Sequence, residues 1–179
     1  MVLDLIIGKI KDFYPDGVSS MNEYDKYILT PEYKRLDSQK SILYSRPISP
    51  RFSDILTFLN GHEDSGAFND HSMPGFDRCF TFKGCLPQHL GVNLELVVQI
   101  SVLLPVYTLR IKYCGKVVDK LKLDVAVKNH VEFIESELNT RYNLTRLGED
   151  ILSRKLPNIS FQDIDFGEFS VYNALFSDQ

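Results

Sequence analysis

The segment from Gly61-His62-Glu63-Asp64 to Asn69-Asp70-His71 gathers two histidines and three carboxylates. Imidazoles and carboxylates at this density suit metal-assisted hydrolysis or general acid–base work, since each offers a ligand or a proton acceptor near neutral pH. A metal-dependent hydrolase using the His62 to His71 loop is therefore one reading of the chain. Against it, residues 60–77 are rich in Gly, Asp and Asn and follow neither a helical nor a strand period. Catalytic groups need rigid elements to hold them, so a solvated loop is the simpler account. Cys79, Cys85 and His89 follow with a C-x5-C-x3-H spacing, with His71 upstream. Structural zinc sites usually leave only about two to four residues between paired cysteines, which favours ordinary thiols here. His130 stands near a predicted helix start, where a cation is disfavoured, and needs no function. The chain has no GxSxG elbow, no Gly-rich phosphate loop, no HExxH and no CxxC. Hydrolase, nucleotide and dinucleotide classes lose their usual signatures, and the expectation is of no catalytic residue, no metal ligand and no cofactor.

The elements that must position any site are organised around Leu94 to Tyr113, LELVVQISVLLPVYTLRIKY. The run is long enough to cross a bilayer, but Glu95, Gln99, Arg110 and Lys112 are each costly there. Its period is two: Leu94, Leu96, Val98, Ile100, Val102 and Leu104 share a face, with Glu95, Gln99 and Ser101 on the other. After Pro105 the parity inverts, so that Tyr107, Leu109, Ile111 and Tyr113 form the apolar set. A reversal explains the inversion. It predicts a half-buried hairpin with Val102 opposite Tyr107, Ile100 opposite Leu109, Val98 opposite Ile111, Leu96 opposite Tyr113, and Gln99 opposite Arg110 on the wetter face. Pro105 excludes a tight type I′ turn, leaving either a turn with Pro105 as second central residue or a wider four-residue loop.

Around this hairpin, residues 2–14 place Leu3, Ile6, Ile7, Ile10, Phe13 and Tyr14 on one helical stripe closed by Tyr14-Pro15-Asp16-Gly17. A short helix over Met21 to Leu29 carries Tyr24, Tyr27 and Ile28. Thr30-Pro31-Glu32 is an N-cap, a first-turn proline and an acidic residue, predicting a helix toward Tyr44 with Tyr33, Leu36, Leu43 and Tyr44 inside. Ser49 and Pro50 open another, with Phe52, Ile55, Leu56 and Leu59 inward and Asn60-Gly61 at its end. Arg78 to Lys83 alternates as a strand with Phe80 and Phe82 on one face. Past the Cys114-Gly115 turn, Leu121, Leu123, Val125 and Val127 alternate as a further strand. Val131, Ile134, Leu138 and Tyr142 then mark a helix, followed by a shorter one over residues 147–156. The sum is an α+β fold: an antiparallel sheet of about four strands, a meander with a central hairpin, covered on one face by helices from both ends of the chain.

A chain of 179 residues is long enough for a single domain over 1–179 without disulfides or metals. Three cysteines and an amino terminus with no basic leader and no cleavage site imply reduced thiols and a cytoplasmic location. A net charge of −4 argues against nucleic acid as partner. Its distribution is informative: from Leu156 onward stand Asp163, Asp165, Glu168 and Asp178 with no Lys or Arg, so this tail carries the entire net charge. The tyrosines of Tyr24 to Tyr44 and of the hairpin suit either an interface or, at helical spacing, a core.

The carboxyl-terminal sequence LPNISFQDIDFGEFSVYNALFSD, with the strand-turn-strand run QISVLLPVYTLRIKY, resembles a class of bacterial polymorphic-toxin immunity proteins. The matching features are Leu-Pro-x-Ile before an acidic segment, the Gly167-Glu168 step, and the closing Asn173-Ala174-Leu175-Phe176-Ser177-Asp178. The resemblance implies a small protein that binds and blocks a cognate toxin domain and catalyses nothing. With a basic toxin, Asp163, Asp165 and Glu168 are the expected contacts, helped by Glu63, Asp64 and Asp70.

Overall fold

The computed structural model describes residues 2–45, 47–61, 67–86, 94–119 and 123–177. Its centre is the hairpin of β3 (Leu94–Ser101) and β4 (Val106–Tyr113), flanked by β2 (Cys79–Cys85) and the short β1 (Asn69–Asp70) in the antiparallel order β1-β2-β3-β4. The outer edge of β4 is shared by two further strands. β5 (Lys116–Val117) pairs antiparallel with Lys112 and Tyr113, and β6 (Thr145–Arg146) pairs parallel with Val106 and Tyr107. Among the described residues the sheet thus has six strands, with helices contributed from both ends of the chain, an α+β architecture.

The expected hairpin forms, but its register is displaced by two residues: Ile100 faces Tyr107, Val98 faces Leu109, Leu96 faces Ile111, and Gln99 faces Thr108 rather than Arg110. The loop explains the shift. Ser101 Oγ accepts from the backbone N–H of Leu103 at 3.1 Å, while the Val102 N–H turns to the Arg78 carbonyl at 3.0 Å, so Val102 to Pro105 form a four-residue connection and the ladder to β4 closes at Ile100. A displacement of two preserves side-chain parity, so the paired residues keep their faces, whereas Leu104, expected beside Ile100, leaves the ladder and packs against the opposite core.

One face carries Phe80, Phe82, Leu96, Val98, Ile100, Tyr107, Leu109 and Ile111. α4 (Pro50–Asn60) packs there through Phe52, Ile55 and Leu59, and α5 (Val125–Thr140) through Val127, Val131, Ile134 and Leu138. Gly84 permits one close approach, since a Cβ at this position would meet the Phe68 ring at 2.6 Å. The Asn60 side chain holds Phe68 there, accepting from its N–H at 2.6 Å and donating to its carbonyl at 3.1 Å. The opposite face is not the wet one the alternation suggests: Thr81, Gln99, Ser101 and Thr108 are all buried. A second core covers much of it, built from α1 (Val2–Ile10), Tyr14, Tyr27 of α2 (Tyr24–Leu29), Leu36 of α3 (Pro31–Lys40) and the carboxyl-terminal segment with α7 (Val171–Leu175). Tyr172 reaches across to donate to Gln99 Oε1 at 3.1 Å.

Local chemistry sets the remaining boundaries. Thr30 caps α3 as expected, accepting from the Tyr33 N–H, but the last turn, Ser41–Tyr44, tightens to a 3-10 helix; Leu43 stays buried and Tyr44 swings out to 61% exposure. The strand expected over residues 121–127 is not one. Leu121 lies outside the described residues, and Asp124 accepts from the Val127 N–H at 3.0 Å, capping α5, so Val125 and Val127 are helical. Val127 opens the buried helical series continued by Val131, Ile134 and Leu138, while Val125, two residues earlier, faces solvent. Tyr142 falls past the helix end, and α6 (Glu149–Leu152) is shorter than expected. Ser170 and Asn173 form a reciprocal capping box at the start of α7.

Sheet and carboxyl terminus are joined at Arg78, which is fully buried. Its Nε donates to the Asn173 carbonyl and its Nη1 to the Phe76 carbonyl, each at 2.8 Å, while its backbone N–H donates to the Phe176 carbonyl at 2.7 Å. The guanidinium lies 4.9 Å from the centre of the Phe161 ring. Removing it orphans buried carbonyls, each worth about 1–3 kcal/mol. Arg78→Ala is therefore expected to lose about 3 kcal/mol or more, lowering the thermal midpoint by on the order of 10 °C, and calorimetry checks it. Arg78→Lys recovers only part, because an ammonium lacks the planar fork.

Candidate partner-binding surface

Asp163, Asp165 and Glu168 come together on one loop, residues 157–168. Its base is closed by an antiparallel bridge between Lys155 and Ser170, with the Leu156 N–H on the Phe169 carbonyl at 2.7 Å and the Val171 N–H on the Arg154 carbonyl at 2.9 Å. Two tight turns follow inside it. Phe161 and Ile164 exchange backbone hydrogen bonds around Gln162-Asp163, with Gln162 at φ +52°, and the Glu168 N–H closes a second turn onto the Asp165 carbonyl, with Gly167 at φ +84°. Positive φ at Gly167 costs no Cβ strain. All three carboxylates are exposed.

The loop is braced from the amino-terminal side. The Ser20 N–H donates to Ser160 Oγ at 2.9 Å, the Ser20 hydroxyl to the Gln162 carbonyl at 3.2 Å, the Tyr27 hydroxyl to the Ser160 carbonyl at 3.1 Å, and the Gly17 N–H to the Asn158 carbonyl at 2.8 Å. Phe161 and Phe169 anchor it in the second core, both packing against Tyr14. Glu168 pairs with Lys155 at 3.1 Å across solvent, a contact worth little. Among the described residues, Asp163 and Asp165 make no ion pair.

Of the other expected contacts, Glu63 and Asp64 lie outside the described residues, as does His62. Asp70 stands on β1, a different element, and its Oδ1 accepts from both the N–H and the hydroxyl of Ser72. Ser72 in turn accepts from the Thr81 N–H at 2.9 Å, so Asp70 stitches the turn beside the sheet edge. His130 is buried within α5. Cys79 and Cys85 sit at opposite ends of β2, about 20 Å apart by strand rise; no metal would bring them together, and His89 lies outside the described residues.

Phe166 escaped the sequence reading. It is 42% exposed between Asp165 and Gly167, whereas Phe161 and Phe169 are buried. The signal was the Asp-Phe-Gly order, which places an aromatic on a turn rather than on a periodic element. Met21 and Tyr24, exposed at 56% and 57%, follow directly on the Ser20 brace. The tyrosines of residues 24–44 therefore divide, Tyr27 entering the core while Tyr24 and Tyr44 face outward.

No protein-family model, curated protein or solved structure matches the chain. Among the described residues, no helix is long and apolar enough to cross a membrane.

Burial pushes the Cys79 thiol up to about 12, and it pushes the phenols of Tyr107, to about 12, and Tyr27 upward too. Cys85 and Cys114 are exposed. A thiol reagent at mildly alkaline pH is expected to modify two cysteines rapidly in the native protein and the third only after denaturation. The folded protein holds the protons of Cys79, Tyr27 and Tyr107 more tightly than the unfolded chain does. Their contribution is whole below the ordinary thiol and phenol values, about 8.5 and 10, and is lost as pH rises through these toward 12. Chemical denaturation at stepped pH is expected to show stability declining above about pH 9.

Proposed function

We propose that this chain is an immunity protein of the bacterial polymorphic-toxin type. It acts in the cytoplasm by binding a cognate, basic toxin domain, and it performs no catalysis itself. The observation that carries the reading is the braced loop 157–168, on which a half-exposed Phe166 stands among Asp163, Asp165 and Glu168. Interfaces draw most of their energy from a few aromatic or arginine anchors, while charges around them steer the approach and reject wrong partners. Closing the loop at its base and pinning it through Ser20, Tyr27 and Gly17 limits the ordering cost of binding. The resemblance of the carboxyl-terminal half to immunity proteins supports the same reading.

Co-expression provides the test. A toxin domain encoded beside this gene is the expected partner, and it is expected to arrest growth alone and to be tolerated with this chain present. With the purified pair, Asp163→Lys/Asp165→Lys/Glu168→Lys is expected to slow association by about tenfold or more at low salt, an effect that shrinks as salt screens the charges. Phe166→Ala is expected to speed dissociation by about thirtyfold, the equivalent of roughly 2 kcal/mol. Unchanged rates in both variants would move the interface elsewhere, and a lack of protection would remove the function.

A further inference from the structure

The sheet face under Tyr172 is only partly covered, and the uncovered part is a groove of about 400 Å³. Its floor is the cross-strand row Lys83–Val97–Arg110, with Lys112 two residues further along β4. His71 and Met73 wall one side, from the segment after β1, and Tyr172 and Ser177 wall the other. Two strand spacings separate Lys83 from Arg110, about 10 Å at the backbone, and Lys112 is about 7 Å from Arg110 along the strand. Val97 between them has a short side chain, so three long cationic side chains rise around a depression.

These cations are under-compensated. Lys83 and Lys112 are half-buried and, among the described residues, make no ion pair or hydrogen bond. Arg110 lies 4.4 Å from the Tyr172 ring centre and reaches only the exposed Glu149, at 3.3 Å. Among the described residues, Asp77 is the groove's one carboxylate, and it is committed to the Met73 N–H at 2.6 Å. Glu95 neighbours Lys112 across the β3–β4 ladder but does not line the groove. Among the described lining residues, three cations against one anion give a net +2 in a chain of net −4. Desolvating like charges together is unfavourable unless an anion completes the set, and a concave wall of one sign focuses the field onto that anion. Beyond the cations the lining is mixed, with Thr81, Gln99 and Ser177 beside Met73, Val97 and Tyr172.

We propose that this groove binds a phosphate group, held by Lys83, Arg110 and Lys112. Three cations on one patch of sheet, with Lys83 and Lys112 each within about 10 Å of Arg110 at the backbone, suit a compact dianion, and the Arg110 fork matches two of its oxygens. The ligand is either free phosphate or a small hydroxyl-rich phosphomonoester, whose remainder meets Thr81 and Gln99. The site is separate from loop 157–168 and does not rest on the partner-binding reading.

Isothermal titration of the full chain with inorganic phosphate and with ribose 5-phosphate tests it, with ribose as the blank. Saturable, salt-sensitive binding in at least one arm is expected, and the tighter arm identifies the source. Lys83→Gln/Lys112→Gln is expected to weaken that binding about tenfold or more while its ligand-free thermal midpoint is no lower than the parent's, since like charges have been removed. The single variant Arg110→Gln, in place of the double variant should that not fold, is expected to weaken binding likewise. Asp163→Lys/Asp165→Lys/Glu168→Lys is expected to bind phosphate as the parent does, whatever becomes of toxin binding. No binding of either anion at millimolar concentration, or binding unaltered by the groove substitutions, overturns the proposal.

Discussion

The buried guanidinium of Arg78 holds together parts of the chain that lie far apart in sequence. Arg78 stands one residue before β2, yet its guanidinium donates to the Phe76 and Asn173 carbonyls and rests its flat face against Phe161, while its backbone N–H donates to the Phe176 carbonyl. Burying a full charge is costly, and that cost is offset only when every donor finds an acceptor in good geometry. The Asn173 carbonyl of α7 provides one such acceptor, and the Ser170–Asn173 capping box fixes where that helix begins. Docking of the carboxyl terminus on the sheet thus has a directional component beyond apolar contact.

That docking converts a one-sided sheet into one with two cores. The first lies under α4 and α5 and mixes aliphatic side chains with Phe68, Phe82, Tyr107 and the closely packed Phe52 and Phe80, whose ring centres are 4.1 Å apart. The second unites both ends of the chain: the Tyr14 hydroxyl donates to the Ala174 carbonyl at 2.7 Å across nearly the whole sequence. The acidic loop is an outgrowth of this second core, and the basic groove is the patch of sheet that it leaves open. Opposite charges are thereby displayed on separate surfaces of one molecule.

How much of this was legible in the sequence depends on the range of the interaction involved. The helix starts at Thr30 and Pro50, the strand through Phe80 and Phe82 and the reversal at Pro105 are local signals, carried by caps, prolines and period-two alternation, and they are found where expected. The two-residue shift of register escaped because it is decided by Ser101 Oγ and by Val102 bonding to Arg78 on a different strand. The alternation at residues 121–127 misled because the Asp124 cap outweighs it. The buried polar face escaped for a related reason: Gln99 and Thr108 look solvent-facing until a segment seventy residues away closes over them with Tyr172. The acidic carboxylates were identifiable by charge alone, but Phe166 could be told from Phe161 and Phe169 only through the geometry of its turn.

The divided edge of β4 has a consequence for the protein in a crowded cell. An eight-residue strand with a bare edge would offer a template for another chain. Here β6 occupies one end of that edge and β5 with the Val118 N–H the other, which among the described residues leaves Thr108 to Arg110 between them. Strands in globular proteins typically need about five or six residues, so this remnant is too short to capture one. Two minimal strands, each too small to contribute much stability, therefore act as stoppers that keep the sheet from growing from one molecule into the next.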